Sequence, residues 1–217
     1  MTEIKICGIT NEEDALFAAS CGIEALGFIF HPPSPRYVTP EKARRIISAL
    51  PPEVAKVGVF VNLEARLVEE LRAFCGLDFL QLHGDESPEY CRHFSPSVLL
   101  KALSLEKTED IAALTSYRVR AILVDARDAE RYGGTGKKAN WKLAKEAKKI
   151  TPLILSGGLQ EGNIGSAIRE VAPQAVDINS GAESAPGKKD REKVKNIIAL
   201  IRSYGTVAGE KKIFIHN

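Results

Sequence analysis

Long apolar runs are missing: no window of the chain approaches the roughly 18 consecutive apolar residues of a membrane span. Neither sign of charge is in excess. Lys and Arg number 30 against 28 Asp and Glu, a formal net charge of +2, so composition gives no pull toward nucleic acid or a membrane surface. The four cysteines, Cys7, Cys21, Cys75 and Cys91, contain no C-x-x-C pair and no metal-site spacing. They are expected to be free thiols in a reducing cytoplasm. The N-terminus has no charged-then-apolar signal pattern, because the apolar run over 4–9 is too short. No glycine-rich dinucleotide fingerprint is present either.

What remains is a 217-residue chain that is 44% hydrophobic, enough for one sizeable α/β core. Its organising stretch is Lys5-Ile6-Cys7-Gly8-Ile9-Thr10. A short β-branched run stops abruptly there and places a cysteine where a buried strand meets a loop. Asn11 then caps a helix to about residue 21, and Gly22 ends it. The alternation continues. Strands are expected over 24–30, 54–61, 78–82, 98–103, 121–124, 152–155 and 175–178. Helices are expected from Pro40 behind the cap Thr39, from Leu63 behind Asn62, and from Pro88 behind Ser87. Further helices fall over 108–117, from Asn140 to about 150, over 160–171, and over about 190–204.

Eight apolar strands, each followed by a helix and spaced by roughly 25 residues, should form a parallel sheet buried on both faces. The count points to a single (β/α)8 TIM barrel over 1–204. An open doubly wound sheet is the alternative. Residues 205–217 fall outside the repeat as a C-terminal tail, in which Ile213-Phe214-Ile215 could pack.

In such a barrel, function gathers at the C-terminal ends of the strands. Cys7, Arg36, His83, Asp125, Gly157-Gly158, Asp177 and Ser180-Gly181 are all expected at that rim. Cys7 reads either as a small buried hydrophobe or as a base, and a base needs thiolate that an ordinary thiol supplies poorly at neutral pH. Asp125, ending the strand A-I-L-V, must be solvated, paired or functional; a general acid would need partial burial to keep its proton. Ser156-Gly157-Gly158 and Asn179-Ser180-Gly181 follow adjacent strands, as phosphate-binding backbone loops do in many barrels. Gly133, Gly134, Thr135 and Gly136 form either a lid or a flexible surface loop. Arg36 follows three prolines that stiffen its loop; it could fork onto a carboxylate or pair with a surface acid. His83 could simply be a loop hydrogen-bonder.

Eight motifs stand in order: K-I-C-G-I-T at 5–10, S-P-R-Y at 34–37, V-G-V-F at 57–60, Q-L-H-G at 81–84, Asp125, G-G-T-G at 133–136, L-S-G-G-L at 155–159 and D-x-x-S-G at 177–181. Over about residues 3 to 204 the chain resembles the phosphoribosylanthranilate isomerase family of tryptophan biosynthesis. The resemblance implies a (β/α)8 barrel without cofactor or metal. The implied reaction is an Amadori rearrangement of an aminoaldose to an aminoketose. It makes Cys7 the general base and Asp125 the general acid, with Arg36 on the anthranilate carboxylate. Gly157, Gly158, Ser180 and Gly181 would hold the phosphate, Gly133–Gly136 would close over the substrate, and His83 and Asp177 would support it. The implied partner is a small-molecule phosphosugar, with no nucleic acid and no membrane, for a monomer or homodimer. The family more usually has serine at position 179 and a larger apolar residue at 182, where this chain has Asn179 and Ala182.

Two other readings, another phosphosugar enzyme on the same barrel and a non-catalytic binding protein, are open to the residues. A phosphosugar epimerase on the same barrel would use metal-binding His and Asp at several strand ends, yet His occurs only at 31, 83, 93 and 216. A related histidine-pathway isomerase would carry aspartate where Cys7 stands. A non-catalytic phosphometabolite-binding protein would have no use for both an acid and a base.

Overall fold

The computed structural model describes residues 1–125, 140–204 and 212–215. Eight strands close into a parallel barrel in sequential order: β1 Glu3–Ile6, β2 Ala25–Ile29, β3 Ala55–Phe60, β4 Phe79–Leu82, β5 Leu99–Leu103, β6 Ala121–Val124, β7 Leu153–Leu155 and β8 Ala175–Ile178. The helices are α1 Glu12–Ser20, α2 Pro40–Ser48, α3 Ala65–Cys75, α4 Pro88–Cys91, α5 Thr108–Ala113, α6 Trp141–Ala147, α7 Glu161–Val171 and α8 Arg191–Ser203. β8 pairs back onto β1 with Asp177 opposite Lys5, so the open doubly wound sheet is excluded.

Strand alternation sorts the side chains into two cores. Ile4, Ile6, Leu26, Phe28 and Ile122 point outward and pack with the helices. Ala25, Val57, Phe79, Leu123, Ile154 and Ala175 fill the interior. The interior closes upward with Cys7, Ile29 and Val59. Expected caps hold at Asn11, Thr39, Ser87 and Asn140, each accepting a first-turn N–H. Asn62 does not open α3. Its φ is +50°, its Oδ1 accepts from Asp85 N and its own N–H donates to Glu86, so α3 starts only after Glu64. The helix expected over 108–117 tightens to a 3-10 turn at Leu114–Ser116.

Two features lay outside the eightfold pattern. A 3-10 turn at Ser180–Ala182 follows β8 and leads into an antiparallel hairpin, β9 Glu183–Ala185 with β10 Lys188–Lys189. Lys189 N–H donates to Asp14 of α1 and Thr10 Oγ1 donates to Gly187 O, which ties this hairpin across the β1 rim. At the opposite end, Ile213 and Phe214 are buried in the interior core. Their N–H groups donate to the Glu3 carboxylate, Arg120 donates to the carbonyls of Ile213 and Ile215, and Phe214 meets Phe79 edge-on at 5.9 Å. This stretch of the tail stops the N-terminal mouth of the barrel.

Candidate active site

Four rim residues continue the ladder one step past their strands. Cys7 N–H donates to Ile178 O, His83 N–H to Phe60 O, Asp125 N–H to Leu103 O and Ser156 N–H to Val124 O. Their side chains are therefore set by the barrel itself, a firmer footing than a free loop. All four line one pocket of about 720 Å³, open mouth included, at the C-terminal ends of the strands. Arg36, Gly157, Gly158, Asp177 and Ser180 line it too. Asp177 stands inside β8 rather than after it. Gly133, Gly134, Thr135 and Gly136 lie outside the described residues.

Cys7 is buried, with 4% of its surface exposed. Gly8, at φ +75°, turns the chain away behind it, and a Cβ there would fall 2.6 Å from Asn179 Oδ1 and 2.8 Å from Arg36 Cδ. Below Cys7 on the same inward face lies Lys5, fully buried, with Nζ 2.9 Å from Asp177 Oδ1. Burial pushes the Cys7 thiol up; Lys5 and Lys189 oppose this while Asp177 adds to it, and the net shift is upward. Burial also works against the Lys5 ammonium, but Asp177 and Cys7 more than offset it and leave its pKa raised. The thiol thus rests protonated above a held positive charge.

Asp125 reaches across to His83, whose Nε2 is 3.1 Å from Asp125 Oδ2, and Gln81 Nε2 stands 2.8 Å from His83 Nδ1. His83 thus links β4 to the residue that ends β6 through its two ring nitrogens.

Arg36 pairs with a buried acid, not a surface one, among the described residues. Its Nε and Nη2 donate to both oxygens of Glu183 at 2.7–3.1 Å, and both side chains are buried. Glu183 also accepts from Lys189 Nζ at 2.9 Å. Burial would raise the Glu183 carboxyl, yet Arg36 and Lys189 together hold it below its ordinary value. Asn179 accepts from Lys189 at 3.4 Å, and Ala182 is a fully buried core residue.

Two glycine-bearing loops flank this charge network. Gly157 and Gly158 have φ of +85° and +63°, successive left-handed residues whose N–H groups can converge on an anion. Gly181 does not line the pocket; a Cβ there would lie 2.0 Å from Leu159 O, so it lets the two loops touch. Lys5, Gln81, Glu183 and Lys189 were absent from the sequence-based site. Lys5 and Gln81 carried a signal, being polar residues two positions before Cys7 and His83 in strands that are otherwise largely apolar.

A closed parallel barrel with a thiol, a carboxylic acid and glycine loops around one rim pocket defines a (β/α)8 protein equipped for proton-transfer chemistry. The family model described as N-(5'phosphoribosyl)anthranilate (PRA) isomerase matches residues 4–199. The N-(5'-phosphoribosyl)anthranilate isomerase of Syntrophus aciditrophicus is 54% identical over 204 residues, covering 94% of this chain and 89% of the relative. The crystal structure of the phosphoribosyl anthranilate isomerase of Thermotoga maritima superposes with a TM-score of 0.86 at 41% identity, over 94% of this chain and 100% of that one. A solved isomerase in complex with reduced 1-(o-carboxyphenylamino)-1-deoxyribulose 5-phosphate has a TM-score of 0.83 at 40% identity, over the same shares of the two chains. The chain belongs to the N-(5'-phosphoribosyl)anthranilate isomerase family, and is an isomerase of tryptophan biosynthesis.

Proposed function

We propose that the pocket converts N-(5-phosphoribosyl)anthranilate to 1-(2-carboxyphenylamino)-1-deoxyribulose 5-phosphate, with Asp125 as general acid and Cys7 as general base. One observation carries this reading: Cys7 and Asp125 come from opposite parts of the barrel, β1 and β6, and face the same pocket. Asp125 gives its proton to the furanose ring oxygen, the C1′–O bond breaks, and the nitrogen lone pair forms an iminium. That cation acidifies the C2′ hydrogen, and Cys7 removes it. The enolamine then takes a proton at C1′ and gives one up from the C2′ hydroxyl, which leaves the ketone. Hydrogen moves only as a proton, so the reaction asks for no hydride carrier.

The raised thiol fits a base that works only against a cationic intermediate. Lys5 below it favours the thiolate as that cation forms. Arg36, held along one edge by Glu183, keeps Nη1 for the anthranilate carboxylate. Gly157, Gly158 and Ser180 supply N–H groups to the phosphate, Gly181 keeps their loops in contact, and His83 and Asp177 support the two reacting groups. The near-zero charge balance and free thiols suit a cytoplasmic enzyme for a small phosphosugar, with no nucleic acid or membrane partner. One solved relative, at 40% identity, is a dimeric isomerase, and this chain works as a monomer or homodimer.

The direct test generates phosphoribosylanthranilate in situ, adds the protein with a chelator, and follows loss of substrate fluorescence. Catalysed loss with the aminoketose as product supports the reading. No loss above the spontaneous rate from folded protein overturns it.

A further inference from the structure

The Gln81–His83–Asp125 chain deserves a role that neither the acid nor the base assignment uses. Gln81 and His83 face inward from β4 two residues apart, one below the other. Gln81 is fully buried. Its amide nitrogen is 2.8 Å from His83 Nδ1, and His83 Nε2 is 3.1 Å from Asp125 Oδ2. The amide oxygen, Gln81 Oε1, is buried with no hydrogen-bond partner.

The amide orientation decides which atom bears hydrogen. With the nitrogen facing the ring, Gln81 donates and Nδ1 must offer a lone pair, so the ring hydrogen sits on Nε2 and donates to Asp125. The reverse orientation would leave a buried amide NH2 with both hydrogens unpaired. A stranded carbonyl oxygen is the more tolerated exception among buried polar groups. The arrangement present is therefore the cheaper one.

We propose that Gln81 is a positioning residue that keeps His83 neutral, so that the proton held by the His83–Asp125 pair stays on Asp125. This rests on the reading of Asp125 as general acid. A second proton on His83 could enter only at Nδ1, where it would point at the amide N–H of Gln81. The imidazolium that would otherwise capture the acid's proton is blocked. Protonated Asp125 keeps accepting from Nε2–H at Oδ2, and its own proton is delivered to the ring oxygen of the substrate.

The other titratable groups facing this pair are Cys7 just after β1, His31 and Arg36 after β2, and Asp177 on β8, all on the same pocket. Behind β4, Lys101 donates to the carbonyls of Leu82 and Gly84 and to Glu86; that pair is internally neutralised. Nδ1 itself is covered by the Gln81 amide nitrogen at 2.8 Å.

Long-range nitrogen–proton NMR on the 15N-labelled protein reads the tautomer directly, with the His83 signals identified by their loss in His83→Gln. At the pH of maximal turnover, hydrogen on Nε2 and a bare Nδ1 are expected. In Gln81→Glu, a carboxylate replaces the donor, Nδ1 gains a proton, and kcat falls by about 100-fold or more with KM nearly unchanged, the loss of one proton-transfer catalyst. Gln81→Leu, which neither donates nor accepts, should fall between. Hydrogen on Nδ1 in the unaltered protein, or full kcat in folded Gln81→Glu, overturns the proposal. The wild-type spectrum decides even if both variants fail to fold. It also stands apart from the acid assignment: full turnover in Asp125→Asn would remove that assignment while Nδ1 remained bare.

Discussion

Gly27 on β2 makes the space that Cys7 occupies: a Cβ at position 27 would lie 2.6 Å from Cys7 Sγ and 3.1 Å from its Cα. The glycine is required by contact and not by backbone strain. Gly27→Ala must push the thiol aside. Displacement of a reacting atom by about 1 Å can cost on the order of 100-fold, and overpacking costs about 1–3 kcal/mol. The expected result is kcat down about 100-fold with a modestly lower urea midpoint. Unchanged turnover would show that the Sγ position does not matter.

In the proposed role of Arg36 on the substrate carboxylate, Glu183 is what holds the guanidinium in place. Glu183→Gln keeps the size and removes the charge that binds Nε and Nη2 at 2.7–3.1 Å. The guanidinium then loses its fixed fork. KM is expected to rise about tenfold, the weight of one charge-assisted contact, with kcat changed far less. Steady-state kinetics separate the two constants, and an effect confined to kcat would place Arg36 elsewhere in the reaction.

Lys5 bears on the thiol with a definite sign. It opposes the burial that pushes Cys7 up, so Lys5→Met should push the thiol higher still and leave less thiolate at any pH below it. Iodoacetamide should alkylate Cys7 about tenfold more slowly per unit of further shift, and rate should recover as pH rises. The variant also strands Asp177 in the interior, so its stability is expected to drop by about 3–5 kcal/mol. Faster alkylation in folded protein would reverse the assigned sign.

Much of this was legible in the sequence because the barrel repeats one period. All eight strands, four side-chain caps and the rim positions of Cys7, His83 and Asp125 follow from apolar runs ending in polar residues or glycine. The Arg36–Glu183 contact spans 147 positions, and nothing local in either residue announces the other. Asn62 misled for a related reason: a good helix-capping residue was claimed by the neighbouring loop through Asp85 N–H. The β9–β10 hairpin escaped because its strands are three and two residues long, too short for an alternation to show.

Phe214 probes the far end of the barrel. It is buried against Phe79 and anchored by Glu3, remote from the rim pocket. Phe214→Ala should cost about 3–5 kcal/mol of stability, as large aromatic truncations do in cores, and leave kcat and KM near wild type. A urea titration alongside kinetics checks both halves. A large loss of activity without loss of stability would mean that the two ends communicate.

The central claim is the division of labour between Cys7 and Asp125, and one paired measurement tests it. Turnover of phosphoribosylanthranilate is compared for wild type, Cys7→Ala and Asp125→Asn, each shown to be folded and to bind the reduced product analogue. The account predicts retained binding with turnover reduced by at least about 100-fold in both variants, the usual contribution of a positioned acid or base. Near-normal turnover in either folded, binding-competent variant would contradict it and remove that residue from the chemistry.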